Sequence, residues 1–258
     1  MSAAPAAISD ETILYTGAGG LLGRELRKYL PRAHFPTHAE FDVTNFEAMD
    51  AFAEALVAAN PSAPLRTIVH GAAFTSPPKV DQDPVKGLDT NIVGTANVVR
   101  LAHKYRLKLL YISTDYVFRG DRGNYSEADP VDPVNKYAWS KLGGECAVRM
   151  YDDSLIIRTS FGPNDFPYPK AFDDQYTSRE SVGVFARKLV GILGSEVKGV
   201  LHVGGPRRSV YEYAQSLDPS KDIGRLSIKN VSFAVPVDTS LDTSKYQTHF
   251  GQDTSRKP

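Results

Sequence analysis

Residues 13–23 read Ile-Leu-Tyr-Thr-Gly-Ala-Gly-Gly-Leu-Leu-Gly, and residues 24–30 continue at helical spacing. The first four residues predict a short buried strand. Glycines between a strand and a helix form the setting of a phosphate-binding loop, because they permit a tight turn and let the backbone approach a pyrophosphate. The spacing Gly17-x-x-Gly20-x-x-Gly23 differs from the commoner G-x-G-x-x-G pattern. We predict a nucleotide-binding loop here, with a flexible glycine turn as the alternative.

The alternation of strand and helix continues along the chain. Short apolar runs at 67–70, 107–113, 154–158 and 200–203 predict strands, and the segments 45–59, 85–105, 135–151 and 181–193 predict helices. Apolar strands that alternate with helices predict an α/β fold, a doubly wound parallel sheet covered on both faces. Ligands bind such sheets at the carboxyl ends of the strands. The glycine loop, Ala72, Ala73 and Thr114 should therefore lie along one rim.

Tyr137 and Lys141 are the pair of residues best suited to chemistry in this chain. They lie four residues apart in a predicted helix, so their side chains share one face. A lysine near a tyrosine favours the phenolate and lowers the pKa of the phenol, which would let Tyr137 exchange a proton with a carbonyl or an alcohol near neutral pH. The hydroxyl of Thr114 could hold the same oxygen. A solvated helix face is the alternative interpretation of the spacing alone.

The composition is that of a soluble globular protein with room for one α/β domain and a small appendage: 258 residues, 41% hydrophobic and 23% charged. Lysine plus arginine equals aspartate plus glutamate at 30 each, which gives no electrostatic case for nucleic acid or an acidic membrane. No apolar run is long enough to span a bilayer, and residues 1–8 lack the features of a secretory signal. No spacing of histidine and carboxylate indicates a metal site.

Cys146 is the only cysteine, so no intrachain disulfide can form, which fits a cytoplasmic location. It falls five residues after Lys141 on the same predicted helix. We predict that it packs in the core rather than acting as a nucleophile.

The residues in this order resemble the extended short-chain dehydrogenases/reductases, and within them the dTDP-4-dehydrorhamnose reductase group. Residues 113–118, Ser-Thr-Asp-Tyr-Val-Phe, reproduce the strand-end motif of that group intact. Residues 72–75 are similar to its third-strand motif, and residues 241–245 to its C-terminal motif. The resemblance covers residues 12–205 well and is patchy afterwards. It implies a Rossmann-like fold with a small, reduced C-terminal substrate lobe.

The resemblance also implies roles for individual residues. Tyr137 would be the general acid, Lys141 would bind the nicotinamide ribose and lower the Tyr137 pKa, and Thr114 would orient the ketone. Asp115, Tyr116 and Phe161 would face the substrate together with Thr114. The implied cofactor contacts are Gly17, Gly20, Leu22, Gly23, Asp42, Val43, Ala72, Ala73, Thr75, Asn91, Tyr137 and Lys141. Asp42 is equally well explained as an ordinary helix cap.

Tyr116 distinguishes between neighbouring chemistries. The nucleotide-sugar 4,6-dehydratases of this superfamily carry glutamate at its position, and without that glutamate dehydration has no evident base. The resemblance therefore favours an NAD(P)H-dependent reductase of a 4-keto-6-deoxy sugar nucleotide. Two alternatives remain: a reductase of a different ketone, and a non-catalytic nucleotide-binding partner similar to the regulatory subunit of methionine adenosyltransferase. A homodimer or a complex with a pathway enzyme is also left open.

The choice of nicotinamide rests on few residues. Asp42 or Glu40 could select NAD through the ribose 2′-hydroxyl. A 2′-phosphate could instead be received by basic side chains, which favours NADPH; the candidates are Arg24, Arg32, His34 and His38.

The segment 174–179 departs from the resembled group, because it lacks the Gly and the Pro of the usual Asp-Gln-x-Gly-x-Pro-Thr motif. We divide the chain into a loose leader at 1–11, an NAD(P)-binding core at 12–160, a mixed region at 161–251 that completes the sheet and forms a shortened substrate lobe, and a polar tail at 252–258.

Overall fold

A computed structural model describes residues 9–251 of the chain; the polar tail and residues 1–8 of the leader lie outside this range. The strands are β1 Ile13–Thr16, β2 Thr67–His70, β3 Lys108–Ile112, β4 Ser154–Thr159, β5 Phe161–Gly162, β6 Lys170–Phe172, β7 Tyr176–Thr177, β8 Glu180–Ser181, β9 Gly199–Val203, β10 Arg208–Ser209 and β11 Gly224–Leu226. The helices are α1 Leu21–Leu26, α2 Phe46–Ala59, α3 Pro77–Gln82, α4 Pro84–Leu88, α5 Gly94–Tyr105, α6 Lys136–Val148, α7 Val182–Leu193, α8 Val210–Leu217 and α9 Ser244–Phe250.

The central sheet has five parallel strands in the order β1-β2-β3-β4-β9. Beyond β1, the backbone of His34 pairs with Ile13 and Tyr15 and extends this edge by a single residue. All parallel neighbours are joined by crossovers, which carry helices onto both faces. The predicted doubly wound α/β fold is confirmed.

The two faces of the sheet bury separate apolar layers. Along β3, Leu110 and Ile112 point to one layer, and Leu109 and Tyr111 to the other. Side chains of a strand alternate between faces, so a strand buried on both sides reads as a continuous apolar run. The first layer packs against α1, α7 and α9, and the second packs against α2, α5 and α6.

The helices begin where polar side chains accept the free N–H groups of their first turns. Asn45 accepts from the Ala48 nitrogen at 3.0 Å and starts α2, and Asn135 accepts from the Ala138 nitrogen at 2.9 Å and starts α6. The alternative role of Asp42 as the cap of α2 is therefore wrong. Its carboxylate instead accepts hydrogen bonds from the backbone and hydroxyl of Thr44.

Two other predictions about helices need correction. The segment 85–105 is not one helix, because a π-helical turn at Asp89–Val93 interrupts it between α4 and α5. Cys146 is exposed and not in the core. Five residues on a helix amount to about 140° of rotation, so a residue five positions after the buried Lys141 faces another direction.

The C-terminal part of the described chain forms a small lobe at the carboxyl ends of β3 and β4. Its own core holds Phe166, Ala171, Val210, Tyr213, Ala214 and Ile223. The start of α8 is fixed by a reciprocal capping box between Ser209 and Glu212. Among residues 9–251, no helix combines the length and apolarity that crossing a membrane requires.

Candidate active site

A cleft of about 760 Å³ runs along the carboxyl ends of β1, β2, β3 and β4. The predicted rim is confirmed for residues 17–22 of the glycine loop, Ala72, Ala73 and Thr114, which all line this cleft, whereas Gly23 does not. Residues 36–44 form its far end, and Tyr137, Lys141 and residues 159–161 form the end next to the lobe.

The glycine loop is shaped by close approaches that a side chain would block. Gly17 has φ +87°, and a methyl group there would lie 2.7 Å from the Ala72 nitrogen. A methyl group at Gly23 would lie 2.7 Å from the Ala18 carbonyl oxygen, so this glycine lets α1 pack against the loop. The Gly20 nitrogen donates to the Gly17 oxygen at 2.9 Å and closes the turn. Gly17, Gly19 and Gly20 therefore present backbone and no side chain to the cleft just before α1, which suits a pyrophosphate.

Thr16 ties this loop to β2 through a buried histidine. The Ala72 nitrogen donates to Thr16 Oγ1 at 3.2 Å, and Thr16 Oγ1 lies 2.7 Å from His70 Nδ1. His70 Nε2 lies 3.0 Å from Thr95 Oγ1, which itself donates to the Asn91 oxygen at 2.7 Å. Because the Thr95 hydroxyl gives its hydrogen to the Asn91 oxygen, Nε2 of His70 donates to Thr95 Oγ1, and Nδ1 accepts from the Thr16 hydroxyl. Burial lowers the pKa of His70 to about 3, so it stays neutral.

The predicted dyad lies on the cleft wall. Lys141 is only 3% exposed, and its Nζ lies 4.2 Å from the centroid of the Tyr111 ring. Burial lowers the pKa of Lys141 to about 7, against the opposing effect of the Glu145 carboxylate. Glu145 itself is fully buried and pairs with Arg158 at 2.8 Å.

The pKa of Tyr137 is raised, whereas the dyad alone predicts a lowered value. Burial is the largest cause, and the negative charge of Asp115 adds to it. The phenol of Tyr137 therefore keeps its proton at neutral pH, which is the state that a proton donor needs.

Asn91 lies behind the cleft wall and not on it. Its side chain accepts from the Phe74 nitrogen at 2.7 Å and donates to the Phe74 oxygen at 2.9 Å and to Ser140 Oγ at 2.8 Å. The Ser140 hydroxyl in turn donates to the Tyr137 carbonyl at 2.7 Å. Asn91 thus joins the loop after β2 to the first turn of α6, and its effect on the cleft passes through these neighbours.

The residues implied for the substrate divide into two groups. Asp115 is buried, and its Oδ2 accepts from Thr239 at 2.6 Å and from Thr177 at 2.9 Å. It therefore anchors the lobe as well as lining the cleft. Tyr116 accepts from Gln175 Nε2 at 2.8 Å, and Phe161 stacks on Phe185 with ring centroids 5.0 Å apart.

Residues 36–44 form the far end of the cleft, where the resemblance would place the adenine. Val43 is buried, and its carbonyl accepts from Asn97 Nδ2 at 3.0 Å. Of the four basic candidates for a 2′-phosphate, only His38 lines the cleft. Arg32 pairs with Asp10, and His34 Nε2 lies 2.9 Å from the Glu11 carbonyl oxygen.

Sequence reasoning missed two arginines that line the cleft, Arg27 at its far end and Arg179 at the lobe end. Arg27 lies in no motif that could have indicated its role. Arg179 could have been found, because it occupies the proline position of the substrate motif from which this chain departs. Within residues 9–251, no cluster of three His, Cys, Asp or Glu side chains is arranged for a metal ion.

Thr114, Tyr137 and Lys141 line the same cleft as the glycine loop. A glycine loop after the first strand of a parallel sheet and a Tyr-x-x-x-Lys pair in one cleft are typical of the short-chain dehydrogenases/reductases, and this chain is an NAD(P)-dependent oxidoreductase of that class. The sequence matches the family model described as RmlD substrate binding domain over residues 11–189. The chain belongs to that family.

The individual proteins to which the chain is similar are of two kinds. The chain is 28% identical to dTDP-4-dehydrorhamnose reductase of Aggregatibacter actinomycetemcomitans, over 92% of this chain and 86% of that protein. It is 32% identical to methionine adenosyltransferase 2 subunit beta of Mus musculus, over 93% of this chain and 83% of that protein. The crystal structure of a hypothetical dTDP-4-dehydrorhamnose reductase from Sulfolobus tokodaii superposes with a TM-score of 0.80 at 28% identity, covering 93% of this chain and 95% of that one.

A second solved structure extends the fold comparison. The dTDP-4-dehydrorhamnose reductase from Bacillus anthracis, in complex with NADP, superposes with a TM-score of 0.79 at 23% identity, and covers 92% of this chain and 91% of that one.

Proposed function

We propose that this protein is an NADPH-dependent reductase of a 4-keto-6-deoxy sugar nucleotide. The observation that carries the proposal is that Thr114, Tyr137 and Lys141 line the same cleft as the glycine loop. In this proposal residues 12–160 bind the cofactor and residues 161–251 hold the substrate.

The residues of the cleft fit a dinucleotide. The close approach of Gly17 to Ala72 leaves backbone, and no side chain, facing a pyrophosphate. Val43 and Asp42 lie at the adenine end, and Thr75 lies between the two ends. When bound, the nicotinamide supplies a hydride to the carbonyl carbon.

The chain's own groups supply the rest of the chemistry. Tyr137 donates its proton to the carbonyl oxygen as negative charge develops there, and Thr114 directs that oxygen toward the phenol. Lys141 holds the nicotinamide ribose and supplies positive charge when protonated, which favours the phenolate left after proton transfer. No second acid or base is required for simple reduction.

NADPH is favoured over NADH by the charges at the adenine end. Arg27 and His38 line the cleft there and suit a 2′-phosphate. The negative charge of Asp42 disfavours a 2′-phosphate, but its Oδ1 accepts a hydrogen bond from the Thr44 nitrogen, and its Oδ2 lies 3.9 Å from His38 Nε2. The NADP complex of the Bacillus anthracis reductase supports the same choice.

The relatives favour a sugar nucleotide as the substrate, and Tyr116 favours its reduction over its dehydration. The reductase of Aggregatibacter actinomycetemcomitans is named for a deoxysugar nucleotide. Tyr116 accepts a hydrogen bond from Gln175 of the lobe, and its ring lies 6.4 Å from that of Tyr137. It offers no carboxylate with which to remove water, which favours reduction over dehydration.

Loss of reduced-nicotinamide absorbance tests the proposal, with NADPH and NADH each assayed against dTDP-, UDP- and GDP-linked 4-keto-6-deoxyhexoses. We expect oxidation of NADPH with at least one substrate. Tyr137→Phe should lower kcat by about 10²- to 10⁴-fold while NADPH still binds in a fluorescence titration. Tyr168→Phe, an exposed tyrosine in the lobe, is the matched control and should keep full activity. Full activity of Tyr137→Phe would refute its role as the acid.

A second function is favoured by one observation, the 32% identity to methionine adenosyltransferase 2 subunit beta across 93% of the chain. In that case the protein would be a non-catalytic nucleotide-binding partner, and the dyad would hold a cofactor without turning it over. Tight NADPH binding with no turnover across the whole panel would favour this second function. Size-exclusion chromatography with light scattering would then show whether the protein forms a homodimer or a complex with another enzyme. We further propose that the protein acts in the cytoplasm.

A further inference from the structure

Arg179 lies at the substrate end of the cleft, on the wall formed by residues 159–161. The short strand pairing of β8 with β5 fixes its backbone, because the Glu180 nitrogen donates to the Ser160 oxygen at 3.1 Å. Its Nε donates to Ser160 Oγ at 3.3 Å. With Nε held in this way, the two terminal nitrogens of the guanidinium remain available to a ligand in the cleft.

This guanidinium has no carboxylate partner among residues 9–251. Other basic side chains of this region have carboxylate partners: Lys188 pairs with Glu180 at 2.6 Å, and Arg207 pairs with Asp238 at 2.7 Å. Glu180, the residue directly after Arg179, thus turns away from the cleft.

Burial raises the pKa of Asp115, and the positive charge of Arg179 opposes that rise, so this carboxylate is the anion nearest in effect to the guanidinium. Asp115 already accepts hydrogen bonds from Thr177 and Thr239 and forms no ion pair with Arg179. A half-buried cation without an ion-pair partner loses hydration that an anionic ligand can restore.

The guanidinium also lies close to the reacting end of the cleft. Burial raises the pKa of Tyr137 and of Tyr116, and the positive charge of Arg179 opposes the rise in both. An anion bound to Arg179 would therefore belong to the same small molecule whose ketone meets Tyr137. The hydroxyl of Thr159 on the same wall is buried without a hydrogen-bond partner.

We propose that Arg179 recognises an anionic group of the substrate, a phosphate or a carboxylate, through the two free nitrogens of its guanidinium. This inference rests on the proposed reductase function and narrows its substrates to ketones that carry an anion near the carbonyl. The planar fork of arginine binds such groups with two parallel hydrogen bonds, which lysine cannot reproduce. Arg179 is thus a residue of substrate specificity, and the proton transfer remains with Tyr137.

The test compares Arg179→Gln and Arg179→Lys with the wild-type protein in three substrate arms. These are nucleoside diphosphate-linked 4-keto sugars, small keto acids without a phosphate, and neutral keto sugars. We expect Arg179→Gln to lower kcat/KM for the anionic ketone by about 10- to 100-fold, mainly through KM, because a hydrogen bond to a charged group is lost. Arg179→Lys should recover part of the loss, and the neutral ketones should be turned over unchanged.

The arm that loses turnover identifies the anion: the nucleotide-linked arm indicates the diphosphate, and the keto-acid arm indicates a carboxylate. The matched control is Arg149→Gln, an exposed arginine after α6, which should leave all three arms unchanged. NADPH affinity checks that each variant is folded. Equal losses for neutral and anionic ketones, or no loss in any arm, would overturn the inference while the reductase function stands.

If the wild-type protein reduces no substrate in any arm, the proposed function fails and the anion site is judged by binding alone. Calorimetry then measures dTDP and galacturonate binding to the NADP-saturated wild-type protein and to Arg179→Gln. An affinity for either ligand that falls at least about 10-fold in the variant would support the anion site. Equal affinities in the two proteins, or binding of neither ligand, would overturn it.

Discussion

The two ends of the cleft are built in different ways. At the end proposed to bind the cofactor, called the cofactor end, the glycine loop between β1 and α1 lines the cleft. At the substrate end, the carboxylate of Asp115 joins Thr177 and Thr239, which lie 62 and 124 residues away in the chain. The cofactor end therefore depends on the close approach of two backbone segments, the glycine loop and the residues after β2. The substrate end depends on a few buried long-range hydrogen bonds.

The largest effect should come from the cofactor end. Gly17→Ala adds a methyl group 2.7 Å from the Ala72 nitrogen at a residue with φ +87°. We expect a loss of about 3 kcal/mol in the free energy of unfolding and a fall of at least about 10-fold in NADPH affinity. Urea unfolding and fluorescence titration measure the two quantities.

Gly19→Ala is the matched control for the unfolding measurement, because a methyl group there would meet nothing within 4 Å. Its free energy of unfolding should stay within about 0.5 kcal/mol of the wild type. Equal destabilisation by the two substitutions would show that the loop is not held by the contact of Gly17 with Ala72.

Asp115→Ala should produce the next largest effect and should act on the other end of the cleft. The hydroxyls of Thr114, Thr177 and Thr239 lose their acceptor, and we expect a destabilisation of about 2–3 kcal/mol. Limited proteolysis should show earlier cleavage in the lobe than in the sheet domain. Asp132→Ala, which removes an exposed ion pair with Arg119, is the control and should cost less than about 1 kcal/mol. A lobe that stays protected in Asp115→Ala would contradict the anchoring role.

The difference between the two ends also explains what could be predicted from the sequence. The sheet and the glycine loop follow from apolar runs and from residues adjacent in the chain, so both were predicted. The π-helical turn at Asp89–Val93 was not, because it depends on packing against α6, where a methyl group at Gly143 would lie 2.6 Å from Ile92 Cδ1. The positions of Asn91 and Arg179 also depend on partners far away in sequence.

Lys141→Met should change stability in the opposite direction from the first two substitutions. The pKa of Lys141 falls from 10.5 to about 7 on folding, so the unfolded chain binds more protons between these two values. The free energy of unfolding of the wild type should therefore rise with pH from about 7 to 10. The destabilisation caused by the buried lysine is complete below pH 7. Replacing the lysine should raise the free energy of unfolding at pH 7 by about 2 kcal/mol and abolish reduction.

The control for this prediction is the pH dependence itself. The gain in Lys141→Met should shrink as the pH approaches 10.5, where lysine is neutral in both states. Lys79→Met, which replaces an exposed lysine outside the cleft, should show no such pH-dependent gain. If the gain in the free energy of unfolding of Lys141→Met stayed constant with pH, burial would not be lowering the pKa of Lys141.

The smallest expected effect concerns the choice between the two nicotinamides at the adenine end. Arg27 lines the cleft, and its Nη2 donates to the Phe35 carbonyl at 2.9 Å, which holds the guanidinium beside residues 36–38. Arg27→Gln should raise the KM for NADPH by about 5- to 10-fold and leave the KM for NADH unchanged, since an exposed contact to a phosphate is worth about 1 kcal/mol. Arg32→Gln, which loses the ion pairs with Asp10 and Glu11 outside the cleft, should change neither KM. An equal change for both nicotinamides would place Arg27 on a part of the cofactor that they share, and the preference would then rest on His38.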